Sequence, residues 1–268
     1  NHASLLEGGK NSQGLGHCRQ YRFKHNDMAH LTPLFSDKIK LGSPALVATE
    51  GVFSMDGDSP DLTKLTQLAK QHNAWSMLDD AHGIGVFGKD GSGSLSQQNL
   101  SIADCNILVI TFGKAIGSQG AAVIADKSTI EYLVNFSREY IYSTHLSPIQ
   151  ALMTINNIDI IQQESWRQQK LHENIALFKT LMSDTSYELI ESHSPIQPVL
   201  IGDESTALLI SDQLKQLSSN RTIIMVTHNV KLCKSADCIY LLNDGLIKET
   251  GNFEKLKKNE LFLELLNE

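Results

Sequence analysis

The sequence predicts a layered α/β fold with a mostly parallel sheet, and three observations carry that expectation. Short apolar runs of buried-strand type alternate with segments whose apolar residues recur at helical spacing. Three of these runs end on polar groups: Glu50 to Ser54, Asp79-Asp80-Ala81-His82, and Thr111-Phe112-Gly113-Lys114. In open α/β sheets the carboxyl ends of the strands form the crevice where ligands bind, so such groups converge there. Finally, 268 residues at 41% hydrophobic content bury the core of one large or two ordinary domains.

Along the chain, 44–49 (PALVAT) is the first strand-like run. Ser59 and Pro60 supply an N-cap and a first-turn proline for a helix over 61–72, whose Leu62, Leu65, Leu68 and Ala69 share one face. The next strand, 75–78, runs into Asp79 and Asp80. Adjacent strand residues face opposite sides, so one of these acids addresses a ligand and the other is structural. From Gly83 to Gly93 glycine is too dense for helix or strand. Gly83-Ile84-Gly85-Val86-Phe87-Gly88 matches the dinucleotide fingerprint GxGxxG. That motif needs a helix to begin within it, and Lys89-Asp90-Gly91-Ser92-Gly93 follows instead.

Strands over 106–112 and 120–125 flank the loop Gly113-Lys114-Ala115-Ile116-Gly117-Ser118. Ser147 with Pro148 opens a helical region reaching about residue 182, followed by a strand over 196–201 and a helix over 204–217. From Ser218 the pattern changes: a strand over 221–227, a short helix over 229–235, and a hairpin over 238–248 turning at Asp244-Gly245. One or two amphipathic helices close the last fifteen residues. Three parts are expected: 1–150, 151–217 and 218–268.

Charge and composition exclude several classes. A net charge of −7 leaves no basic footprint for nucleic acid. No run of about 18 apolar residues is present to span a bilayer, and the first ten residues lack a signal-peptide core. Cys18, Cys105, Cys233 and Cys238 form no CxxC pair and read as thiols of a reducing cytosol. No metal site is expected, because nothing supplies further ligands around Asp79, Asp80 and His82 at a recognisable spacing.

A lysine flanked by glycine, with an acid, a histidine and hydroxyls at neighbouring strand ends, suits pyridoxal 5′-phosphate (PLP). Its aldehyde needs a lysine amine, and its ring nitrogen needs an acid to stay protonated. Its phosphate needs hydroxyls and close backbone approach, which Ser54, Thr111 and the small residues around Lys114 offer.

The segments NHASLLEG (1–8), FKHND (23–27), TEGVFSMDGD (49–58), LDDAHGIGVFG (78–88), TFGKAIGSQGAAV (111–123) and YSTHLSP (142–148) are specific. Together they resemble the α-oxoamine synthases, a fold-type I PLP family, from residue 1 to about 217. The resemblance implies an aspartate aminotransferase-like large domain, three-layered α/β/α. It makes Lys114 the cofactor's Schiff-base lysine and later the base for the substrate α-proton. It sets Asp79 on the pyridine nitrogen, His82 on the phenolic oxygen, and His2 stacked on the ring. Ser54 and Thr111 would hold the phosphate, with Ser143 and Thr144 reaching in from the second subunit of a homodimer. The implied reaction is decarboxylative condensation of L-alanine with a pimeloyl thioester, on coenzyme A or a carrier protein, in biotin synthesis. The glycine-using siblings, glycine C-acetyltransferase and 5-aminolevulinate synthase, are the alternatives.

The segment 221–256 resembles the end of an ABC-transporter ATPase domain, with His228 at the switch-histidine position. No GxxxxGKS/T loop occurs, so a fused remnant is expected rather than an ATPase. The chain opens on Asn1 rather than Met. Set against the family pattern, the expectation is an incomplete enzyme lacking the family's N-terminal segment and its carboxylate-binding arginine.

Overall fold

The apolar run Leu46–Glu50 is strand β1 in the computed structural model, which describes residues 1–39, 43–216, 233–234, 236, 238–243, 246–259, 262–263 and 265. Strands β2 (Trp75–Asp79), β3 (Ile107–Thr111) and β4 (Ala121–Ala125) complete a sheet of order β1-β2-β3-β4. β1 and β2 are parallel, as are β2 and β3, while β4 runs antiparallel to β3. Register sets Glu50 opposite Asp79, and Asp79 opposite Val109. The polar ends of three strands thus lie along one edge, as the sequence predicts.

Helix α1 (Ala3–Gly14) is capped by the His2 side chain, and α2 (Met28–Lys38) by Asp27, which accepts from the His30 amide. Helix α3 (Leu62–Gln71) makes the crossover between β1 and β2. Its predicted stripe is buried throughout: Leu62, Leu65, Leu68 and Ala69 are each at most 7% exposed. Leu65, Leu68 and Ala69 join Leu31 and Phe35 of α2 and Val47 of β1 in one core cluster. Each buried leucine stabilises by about 1.5–3 kcal/mol. A second cluster ties Leu62 to Leu78, Leu95, Leu108 and Ile110.

The structure corrects the cap of α3. Asp61, not Ser59, is the N-cap and accepts from the Lys64 amide at 2.9 Å. A residue before proline is biased toward extended backbone, which holds Ser59 out of the helix. Its carbonyl instead accepts from Asn26 Nδ2.

The glycine-dense stretch holds turns and one 3-10 turn (Lys89–Gly91), the short α4 (Ser94–Gln97) follows it, and no helix begins inside the GxGxxG match. After α5 (Lys127–Phe136) and α6 (Arg138–Ile141), the single helical region expected from Ser147 is two helices. These are α7 (Pro148–Gln163) and α8 (Trp166–Ser183), separated at Glu164, whose backbone is non-helical. Gln168 ties α8 to the glycine-rich loop by donating to the carbonyls of Val86 (2.8 Å) and Gly88 (3.3 Å). That tether has no period in the sequence. The strand expected over 196–201 shrinks to Val199–Leu200.

Two compact units are present, Asn1–Val199 and Leu200–Glu268. The second contains α9 (Glu204–Gln216), an antiparallel pair Ile239–Asn243 and Leu246–Gly251, and α10 (Phe253–Leu256). Ile239, Leu241, Phe253, Leu256 and Phe262 form its core. The expected turn Asp244-Gly245, the strand over 221–227, His228 and most of the helix over 229–235 lie outside the described residues. Among the described residues no helix is long and apolar enough to cross a membrane.

Candidate active site

β3 ends at Thr111, and the chain turns sharply so that the Ser118 amide donates back to the Phe112 carbonyl at 2.7 Å. Gly117, at φ +68°, closes this turn in a conformation that favours glycine, and its amide donates to the Lys114 carbonyl. Asn157 of α7 steadies the loop by donating to the Ile116 carbonyl at 2.8 Å. Lys114 thereby projects toward the end of β2, where its Nζ lies 2.7 Å from His82 Nε2.

Both partners are held neutral more readily than usual. Burial pushes the His82 pKa down, the Lys114 charge pushes it further, and Asp79 opposes. Burial also lowers the Lys114 pKa, against the opposing charges of Asp79 and Glu50. A lysine so displaced exposes more neutral amine, the form that attacks a carbonyl.

The two adjacent acids differ in burial and bonding. Asp79 is half-buried and accepts from the Ala81 amide at 3.1 Å, and its charge acts on both His82 and Lys114. Asp80 is 2% exposed and accepts from the Ser94 hydroxyl (2.5 Å) and amide (2.9 Å). Burial raises its pKa to about 6. Gly51, Gly83 and Gly93 crowd its carboxylate; a Cβ at Gly83 would stand 2.1 Å from Oδ1.

His2 is exposed and bonds Ser4, with Nδ1 at 2.8 Å from its hydroxyl, and its charge is felt at His82. Thr111 Oγ1 accepts from the Gly113 amide and donates to the Gly120 carbonyl, both at 3.4 Å. Ser54 is exposed in the turn after β1. Ser143 and Thr144 are exposed between α6 and α7, and among the described residues no hydrogen bond joins them to Lys114. The structure therefore gathers Lys114, His82, Asp79 and His2, with Thr111 at the root of the loop.

The sequence placed Glu50 among the strand-end polar groups without a role, and it missed a second cluster. Glu50 is 4% exposed at the end of β1 and acts electrostatically on Lys114. His25, Asp56 and Asp58 bring ligand-type atoms within 4.8 Å of one another, where no metal cluster was expected. Here His25 Nε2 lies 3.0 Å from Asp58 and 3.5 Å from Asp56, and Asn26 Nδ2 also donates to Asp58.

Beside Lys114 opens a pocket of about 350 Å³. Apart from Lys114 and His82 its wall is apolar: Ala81, Ile84, Val86, Ala115, Pro195 and Ile196.

A lysine held against a histidine beyond a parallel strand edge defines a class, and comparison agrees. The chain belongs to the aminotransferase class I and II family, whose model matches residues 1–238. The 8-amino-7-oxononanoate synthase of Photobacterium profundum is 44% identical over 219 residues, 80% of this chain and 53% of that protein. The chain thus spans about half the length of the curated relatives it matches. The solved 8-amino-7-oxononanoate synthase of Francisella tularensis is similar at TM-score 0.70 and 26% identity, covering 99% of this chain and 71% of that one. The serine palmitoyltransferase of S. paucimobilis, solved with a bound PLP-myriocin aldimine, is similar at TM-score 0.71 and 27% identity. That match covers 77% of this chain and 51% of the other. The fold is accordingly the fold-type I α/β architecture, with a mostly parallel sheet.

Proposed function

We propose that the chain carries the lysine-bearing core of a PLP-dependent C-acyltransferase of the 8-amino-7-oxononanoate synthase type. Its reaction is the decarboxylative condensation of L-alanine with a pimeloyl thioester. The observation that carries this is the 2.7 Å approach of Lys114 to His82 beside Asp79, at adjoining strand ends. The names of the similar proteins support it.

The donor set fits PLP: an amine with a depressed pKa, an acid for the ring nitrogen, an imidazole, and hydroxyls at two strand ends. When bound, the cofactor supplies an electron sink for carbanion chemistry. Lys114 Nζ would hold the cofactor and would afterwards take up the amino acid's α-proton. Asp79 would keep a proton at the ring nitrogen, and His82 would address the phenolic oxygen. His2 would pack on the ring, while Ser54 and Thr111 would hold the phosphate. Ser143 and Thr144, exposed between α6 and α7, would serve the site from a second copy in a homodimer. A cytoplasmic setting accords with cysteines that form no CxxC pair.

The same proposal keeps the division 1–150, 151–217 and 218–268. Its support is the change of pattern at Ser218.

The test is reductive trapping. After incubation with PLP and borohydride, peptide mapping should show the adduct at Lys114, and Lys114→Ala should lose it with an unchanged circular dichroism spectrum. A wild-type chain with no adduct at Lys114 overturns the proposal.

A further inference from the structure

The segment before α2 and the turn after β1 meet at three side chains to which the cofactor reading gives no role: His25, Asp56 and Asp58. His25 Nε2 lies 3.0 Å from an Asp58 oxygen and 3.5 Å from an Asp56 oxygen. An ion held at about 2.0–2.2 Å from each ligand sets neighbouring ligand atoms roughly 3 to 3.6 Å apart, so both separations suit adjacent positions on one cation. Charge points the same way. Surface acids elsewhere are matched by lysine, as Asp61 is by Lys64 and Asp104 by Lys70. Among the described residues neither Asp56 nor Asp58 has a Lys or Arg partner, and the one basic group paired with them is the His25 imidazole, itself a metal ligand.

Bonds that leave the ligand atoms available hold the two segments in place. The Phe53 amide donates to the Asp58 carbonyl at 2.9 Å, and the Gly57 amide to the Phe53 carbonyl at 2.8 Å. Gly57 has a φ of +70°, a conformation that favours glycine, and its carbonyl accepts from the buried Ser192 Oγ at 2.8 Å. The His25 ring packs edge-on against Phe53, with centroids 4.5 Å apart. Asn26 Nδ2 donates to Asp58 Oδ2 at 2.8 Å and to the Ser59 carbonyl at 2.9 Å, so the carboxylate has an outer partner that orients it. A site fixed in this way costs less ordering when its ligand arrives. His25 and Asp56 are each about half exposed, which leaves an entry path from solvent.

We propose that His25, Asp56 and Asp58 bind a divalent transition-metal ion of the Zn²⁺ type, which clasps the chain before α2 to the turn on which Ser54 stands. One imidazole with two carboxylates selects Zn²⁺ over Mg²⁺, which favours oxygen ligands alone. The proposal does not depend on the acyltransferase reading, and its test uses neither substrate nor PLP.

The chelator-treated full chain is titrated calorimetrically with zinc chloride in a phosphate-free buffer, beside Asp56→Asn, His25→Ala and, as a control for scattered surface imidazoles, His193→Ala. His193 is exposed and faces only Glu191 among the described ion pairs. Among the described residues Asp56 pairs only with His25, so Asp56→Asn should keep the wild-type circular dichroism spectrum. One Zn²⁺ should bind per chain at this site. Asp56→Asn and His25→Ala should each weaken it by at least about tenfold, since losing even an outer partner of a metal ligand costs about 10–100-fold. His193→Ala should leave it unchanged, and about a hundredfold excess of Mg²⁺ should not displace it. Zn²⁺ should also raise the urea midpoint of the wild type and not that of Asp56→Asn, because the ion binds the folded arrangement. Absence of saturable binding, an affinity undiminished in both ligand variants, or displacement by Mg²⁺ overturns the site.

Discussion

The carboxyl edge of β1–β3 and the helices α5, α6 and α7 both carry large apolar residues and differ in how far those residues are covered. At the edge, Val52, Leu62 and Leu78 are at most 2% exposed, and the Asp80 carboxylate is enclosed by Ser94 and three glycines. Along the helices, Tyr132, Phe136, Tyr142, Ile149 and Leu152 all stand exposed, Tyr142 by 78%. A helix as apolar as α7 is ordinarily buried all round. The first region completes its packing within residues 1–199, while the second presents packing surface to something outside it. Substitutions should therefore act strongly at the edge and weakly on the face.

The largest effect is expected at Gly93. Its φ is +95°, and a Cβ there would lie 2.1 Å from Asp80 Oδ2. Gly93→Ala combines backbone strain with overpacking against a carboxylate that cannot move, and should cost about 3 kcal/mol or more in urea unfolding. Gly117→Ala shares a positive φ but meets its nearest atom only at 3.7 Å, so strain alone acts and the loss should be about 1 kcal/mol. Equal losses at the two sites would break the picture of a closed edge.

Next in size is a pH effect. Burial first, with the neighbouring Asp79 charge adding, raises the folded pKa of Asp80 to about 6 against an unfolded value of 3.8. Between these values the folded chain binds a proton that the unfolded chain does not, so stability falls as pH rises through the window. The contribution is complete below about pH 4 and lost above about pH 6, for roughly 3 kcal/mol in all. The depressed His82 works in the opposite sense, losing stability as pH falls below the unfolded value of 6.5. Urea midpoints of wild type and Asp80→Asn, compared from pH 4 to 7, separate the two. The variant should lack the fall between pH 4 and 6, and parallel curves would show that Asp80 is not the group responsible.

This contrast also explains what the sequence revealed. Strands at 44–49, 75–78, 106–112 and 120–125 were legible because each is a short apolar run closed by glycine or acid, and α3 because its stripe keeps a 3.6-residue period. The Lys114, Asp79 and His82 constellation was legible because polar groups at parallel strand ends share an edge. Helix α1 was not, since Gly8, Gly9 and Asn11 weaken its pattern and it buries no side chain. The break at Glu164 has no glycine or proline to announce it, because Gln168 makes its tether through main-chain carbonyls some 80 residues away. Glu50 was legible as a strand-end acid, but its electrostatic link to Lys114 was not, because that depends on β1 pairing in register with β2.

The smallest effect should fall on the exposed face, and it sharpens the comparison most. Leu152 is 66% exposed on α7, so Leu152→Gln removes little intramolecular contact. Its unfolding free energy should change by no more than about 0.5 kcal/mol. Sedimentation equilibrium should respond where unfolding does not, because an apolar face of this kind is paired with another surface more often than left in water. Weaker self-association at unchanged stability would assign these exposed residues to contact between copies, the arrangement proposed for Ser143 and Thr144. A stability loss above about 1 kcal/mol would instead show that Leu152 is buried within its own copy and that the two regions are packed alike.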